Sequence, residues 1–97
     1  MKLSGVKIIR LINGEEIIGT MSQTGDTVTV SDPVIIQMVP NGEGQMGLAM
    51  IPFAPYAEED EFLFSWDHIV TAYTPSKDLY NQYNRKFGSG LQLATSL

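Results

Sequence analysis

Cysteine is absent from this chain of 97 residues. No disulfide framework, thiolate zinc site or cysteine nucleophile can therefore be built from it. Long apolar runs are missing as well, and nothing approaches the roughly 20 residues of a membrane-spanning helix. The segment Met1-Lys2-Leu3-Ser4-Gly5 lacks the apolar centre of a signal peptide. A cytoplasmic location with no membrane partner is the expectation that follows. Basic residues are few: six Lys and Arg stand against eleven Asp and Glu, for a net charge of −5. That balance argues against broad capture of nucleic acid through its phosphates. Histidine occurs once, at His68. A lone histidine without a cysteine partner offers little to nucleophilic catalysis.

What is present is an ordinary share of hydrophobic residues, 43%. A chain of this length makes one domain and buries about 65% of its extended surface. The organising stretch is Leu11-Ile12-Asn13-Gly14-Glu15-Glu16-Ile17-Ile18-Gly19-Thr20-Met21. Two apolar runs meet at Asn13-Gly14, a strong hairpin signal. The expected turn is type I′, with positive φ at both central residues. Gly19, inside the second run, marks a bend or a close backbone approach.

The first strand is expected over Val6 to Ile12. It carries apolar residues on both faces: Val6, Ile8 and Ile12 on one, Ile9 and Leu11 on the other. Such a strand is covered on both sides, by the core and by a second layer or subunit. The second strand runs from Glu15 to Gln23 and turns at Thr24-Gly25-Asp26. Thr27 to Val39 reads as one long strand, bent where Asp32-Pro33 interrupts the ladder. A loop over Pro40 to Gln45 leads to a fourth strand, Met46 to Phe53. Tyr56 to Glu61 is an exposed acidic loop. Phe62 to Trp66 is strand, Asp67-His68 a tight joint, and Ile69 to Tyr73 the last strand.

Thr74-Pro75 then opens a helix, with threonine as N-cap and proline in the first helical position. Leu79, Tyr80, Tyr83 and Phe87 share a face. Arg85 and Lys86 fall in the last turn, where cations suit the helix dipole, and Gly88 is placed to end it. The domain is expected to span 1–88, with the helix at about 75–87 and 89–97 as a loose tail. The fold class is mainly β: five to six short strands in a small, strongly bent antiparallel barrel, with a C-terminal helix. Barrel closure is the economical way for so short a sheet to remove its edges.

Two segments of this pattern resemble the two halves of the Sm-like (Sm, Lsm and Hfq) family. Ile9, Leu11, Asn13, Gly14 and Gly19 follow the first half, and Trp66-Asp67-His68-Ile69-Val70 stands where Hfq-type members have aromatic-Lys-His and an apolar run. The Arg-Gly joint of Sm-type members is absent. The resemblance covers roughly residues 6–39 and 62–73. The whole layout resembles the small Sm-like proteins of marine cyanophage type, which implies a host cytoplasm. The family implies an SH3-like barrel, a closed homo-oligomeric ring and RNA as ligand. It also implies an RNA-reading turn after the second strand, and here those places fall at Gly25 and Thr27, with Asp26 shifted by one. Thr27 offers no stacking platform, worth about 1–3 kcal/mol per base. Asp67 replaces a basic residue and repels phosphate, so His68 alone is left of the Hfq-type pore pair.

Each candidate residue has a plainer reading beside the functional one. His68 either lines a ring pore and donates to a nucleotide or is held at the joint by a hydrogen bond. Lys7, Arg10, Arg85 and Lys86 are candidates for phosphate contact, or solvated surface charges. A ring would multiply whatever charge one subunit presents. Glu58-Glu59-Asp60-Glu61 is a run of oxygen ligands without the spacing of a calcium loop, and a solvated loop is the better reading. Most aromatics should pack, with Tyr80 and Tyr83 the expected exposed pair. The nucleic-acid candidates are therefore His68, Arg10, Lys7, Asp26, Thr27, Arg85 and Lys86. No catalytic residue, metal or cofactor is implied. The expected function is a non-enzymatic ring that binds RNA or single-stranded DNA and takes part in their processing. The alternative is a homo-oligomeric scaffold for a protein partner, which has lost RNA binding.

Overall fold

β1, Ser4–Leu11, runs through the middle of the molecule and is covered on both faces. A computed structural model of the chain describes residues 2–87. After β1 come β2 (Glu16–Thr24), β3 (Thr27–Pro40), β4 (Met46–Pro52), β5 (Glu61–Ser65), β6 (Ile69–Tyr73) and α1 (Lys77–Lys86). One 3-10 turn, Trp66–His68, joins β5 to β6. Strand pairing is antiparallel throughout, in the order β4-β3-β2-β1-β6, with β5 also on β3. This is the mainly β, strongly bent sheet with a C-terminal helix that the sequence pattern predicts. Gly88 and the tail 89–97 lie outside the described residues.

The long third strand bends as expected at Asp32-Pro33. Its first half, Thr27 to Ser31, pairs with β5, and its second half, Val34 to Pro40, pairs with β4. Asp32 sits at φ +52°, a left-handed conformation that aspartate tolerates better than most residues. Its amide donates to the Asp60 carbonyl at 2.7 Å.

Alternation along neighbouring strands sends adjacent side chains to opposite faces. Ile9, Ile17, Met21, Val28 and Val30 form the inner core with Leu3. Ile8, Ile18, Val34 and Ile36 form a second apolar layer on the other face, closed by Tyr83 of α1. Each such buried side chain contributes about 1.5–3 kcal/mol. Gly19 lies between the layers' strands, where the β2–β3 register shifts. A Cβ there would run into Val30 Cγ1 and lie 3.0 Å from the Ser31 carbonyl oxygen. Close backbone approach is the reason for glycine at this position.

Several local expectations are corrected. The first hairpin is not a two-residue type I′ turn. Among the described non-glycine residues only Asp32 has positive φ, so Asn13 does not; of the Asn13-Gly14 pair Gly14 alone does, at +92°. Leu11 N–H donates to Glu15 O and Gly14 N–H to Leu11 O, which closes a three-residue loop. Ile12 therefore leaves the strand and is 67% exposed. The Gly25-Asp26 turn does use two residues, with glycine first and positive φ at Gly25 only.

The helix also begins later than expected. Ser76, not Thr74, is its N-cap and accepts from Leu79 N–H at 3.3 Å. Thr74 Oγ1 is instead engaged by Lys7 Nζ at 2.9 Å, and Pro75 is buried outside the helix. Tyr83, expected to be exposed, is fully buried. Its hydroxyl donates to the Asp32 carbonyl at 2.9 Å and lies 3.3 Å from that of Ser31. It thus pins the helix to the bend in β3. Burial pushes the Tyr83 phenol up to about 12. Tyr80 does remain substantially exposed.

Candidate nucleic-acid interface

The joint between β5 and β6 is a single hydrogen-bonded turn. Ser65 Oγ accepts from Asp67 N–H at 3.3 Å, and Ile69 N–H returns to the Trp66 carbonyl. Two other loops are stitched to it. Trp66 N–H donates to the Asp26 carbonyl at 2.8 Å, and Ile12 N–H donates to the His68 carbonyl at 3.0 Å. Thr27 pairs with Ser65 in the ladder. So Asp26, Thr27 and His68, far apart in the chain, are gathered around one turn. The His68 ring is exposed and makes no side-chain hydrogen bond among the described residues. Trp66 is 36% exposed on the same turn, beside Asp26. The sequence offers it as one of the aromatics able to stack, most of which are expected to pack. Its place just before the joint, in the alternation Phe62, Phe64, Trp66, was the available signal, but that alternation ends where the 3-10 turn begins.

The basic candidates are dispersed. Arg10 forms an ion pair with Glu16, its Nε donating to Oε2 at 2.8 Å. Glu16 also accepts from the Tyr73 hydroxyl at 2.9 Å. Burial, followed by this hydrogen bond, raises the Tyr73 phenol above its ordinary value. Lys7 is tied to Thr74, as described above. These two cations are thus already engaged on the β1–β6 side. Arg85 and Lys86 end α1 at a separate place. Lys86 lines a cavity of about 220 Å³ together with Asp32, Phe53, Asp60, Phe62 and Phe87. Burial, and then the charge of Asp60, raises the Asp32 carboxyl. The acidic loop thus borders this cavity and not the joint. Among the described residues no group of three histidine or carboxylate side chains is arranged to hold a metal ion.

Three strands keep a bare edge. Among the described residues β4 and β5 each pair only with β3, and β6 only with β1. Met46, Leu48 and Ile51 on β4 are exposed, as are Leu63 on β5 and Val70 and Tyr73 on β6. Met38, Leu48, Leu79 and Tyr73 also line a shallow groove of about 420 Å³. No helix among the described residues is long and apolar enough to cross a membrane.

A bent antiparallel sheet, a short joint before its last strand and a bare edge on each side define a class of small β domains. Within that class the match is specific: the Sm-like domain family covers residues 8–84. The chain belongs to the Sm-like family. A search of the curated proteins finds no match.

Proposed function

We propose that the protein is a non-enzymatic, ring-forming Sm-like protein that binds single-stranded RNA in the cytoplasm and takes part in its processing. The observation that carries this reading is the pair of bare apolar edges on β4 and β6. Pairing β4 of one subunit with β6 of the next would satisfy both ladders and cover Leu48, Ile51, Val70 and Tyr73. Repetition around a ring would then present one Trp66–His68 turn per subunit. Trp66 supplies the aromatic face that Thr27 lacks, and His68 supplies a ring nitrogen for a base or phosphate. Stacking on Trp66 is worth about 1–3 kcal/mol per base.

The test is light scattering on the purified protein, with fluorescence anisotropy of labelled U-rich, A-rich and mixed RNA and DNA oligomers. The expected result is a mass several times that of one chain, with RNA affinity that weakens with salt. Trp66→Ala should weaken binding about 5- to 150-fold, the range that the loss of one stacked base implies, and His68→Ala should weaken it less. A monomer, or a ring without affinity at low salt, would sink the proposal. The second reading, a scaffold for a protein partner, is favoured by one observation: Lys7 and Arg10 are already held by Thr74 and Glu16 in a chain of net charge −5. It predicts a stable ring, no RNA affinity, and retention of a protein that is lost when Tyr80 on the exposed side of α1 is changed.

A further inference from the structure

The chain contains two Asn-Gly dipeptides, Asn13-Gly14 and Asn41-Gly42, each in a hairpin loop. Asn-Gly is chemically vulnerable because glycine has no side chain to crowd its own nitrogen. That nitrogen attacks Cγ of the asparagine. A new C–N bond closes a five-membered succinimide, the Cγ–Nδ2 bond breaks, and ammonia departs with the amide proton. Solvent water then opens the ring at either carbonyl, to leave aspartate or isoaspartate. The reaction needs three things: a glycine N–H free to lose its proton, a side-chain amide free to turn, and room to close the ring.

The two loops differ in the first two requirements. At the first, Gly14 N–H is committed to the Leu11 carbonyl at 2.9 Å. The Asn13 side chain is held at both ends. Its Oδ1 accepts from Glu15 N–H at 2.9 Å, and its Nδ2 donates to Glu15 Oε1 at 3.3 Å. At the second, Asn41 Oδ1 accepts from Glu43 N–H at 3.1 Å, and Asn41 N–H donates to the Gln45 carbonyl at 3.0 Å. Among the described residues, neither Gly42 N–H nor Asn41 Nδ2 has a protein acceptor. Nothing lies within 4 Å of the space a Cβ on Gly42 would fill. The glycine N–H and the departing Nδ2 are thus both hydrogen-bonded at Asn13 and both without a protein acceptor among the described residues at Asn41, whereas Oδ1 accepts one backbone N–H at each site.

We infer that Asn41 is a site of spontaneous, succinimide-mediated conversion to aspartate and isoaspartate, from which Asn13 is protected by the fold. Conversion adds a carboxylate beside Glu43. As isoaspartate it also inserts a methylene into the main chain of the loop that connects β3 to β4.

The experiment is incubation of the native protein at mildly alkaline pH, followed by proteolysis and mass spectrometry that separates the aspartate and isoaspartate peptides. A parallel sample is held in urea. In urea the two sites should convert at similar rates, since both are Asn-Gly. In the native protein Asn41 should convert at least about tenfold faster than Asn13, the factor expected when two ordinary hydrogen bonds must first be broken. Glu15→Ala removes the acceptor of Asn13 Nδ2, leaves the backbone bond to Oδ1 in place and does not touch Asn41, and should narrow the gap. Gly42→Ala should slow conversion at Asn41 alone. Equal native rates, a faster Asn13, or protection of both sites in the native protein would each overturn the inference.

Discussion

β1 and β4 are both apolar on both faces, and they end differently. Ile8 and Ile9 of β1 are 1% and 0% exposed, because β2 and β6 flank the strand, the inner core lies on one face and α1 on the other. Met46, Leu48 and Ile51 of β4 keep 55%, 44% and 40% of their surface exposed, because β4 is the last strand of its sheet. Apolar content alone does not say where the covering surface comes from. In β1 it comes from the same chain, and in β4 the described residues supply none on the outer side. Large exposed apolar residues along an unpaired edge are the observation on which the proposed ring rests.

The contrast can be broken first at its buried end. Ile9→Ala should cost about 2–5 kcal/mol of stability, read from urea denaturation, because the inner core cannot collapse around the lost atoms. The second layer can be loosened by alkali. Tyr83 titrates at about 12 when folded, against an ordinary 10. The stabilisation is complete below pH 10 and is lost as the pH rises from 10 to 12, because the unfolded chain ionises first. The loss should reach about 2–3 kcal/mol, and Tyr83→Phe should flatten that part of the profile.

Smaller effects sharpen the comparison. Gly19→Ala should destabilise by about 1–3 kcal/mol through overpacking against Val30 and Ser31. Ser76→Ala removes the helix cap and should cost about 1 kcal/mol, visible as a lower melting temperature. At the bare edge, Leu48→Ser should change the stability of a single chain by no more than about 0.5 kcal/mol. On the proposed ring reading it should nevertheless lower the mass seen by light scattering.

The strands were readable because their determinants are local. Alternation in Thr27 to Val30 marks one half of β3, Asp32-Pro33 marks its bend, and Gly25-Asp26 marks the turn before it. Ile8 and Ile9 side by side already imply a second layer over β1. The type of the first turn was not readable, because Asn-Gly suits both a type I′ pair and a three-residue loop that needs only Gly14 at positive φ. The candidate site was legible in part. Asp26, Thr27 and His68 come together at one turn, whereas Lys7, Arg10, Arg85 and Lys86 do not join them.

By itself, the sequence determined which segments extend, where they turn, that Gly19 marks a bend or a close approach, and that neither disulfides nor thiolate metal sites are available. The tertiary structure decided which face of α1 is buried, which threonine or serine caps it, which cations are already paired and which strands remain at an edge. The physical reason is distance along the chain. Tyr83 meets Asp32 across 51 residues, Lys7 meets Thr74 across 67 and Tyr73 meets Glu16 across 57. Local pattern sets the conformation of a segment, but a partner that far away is chosen only when the whole sheet closes.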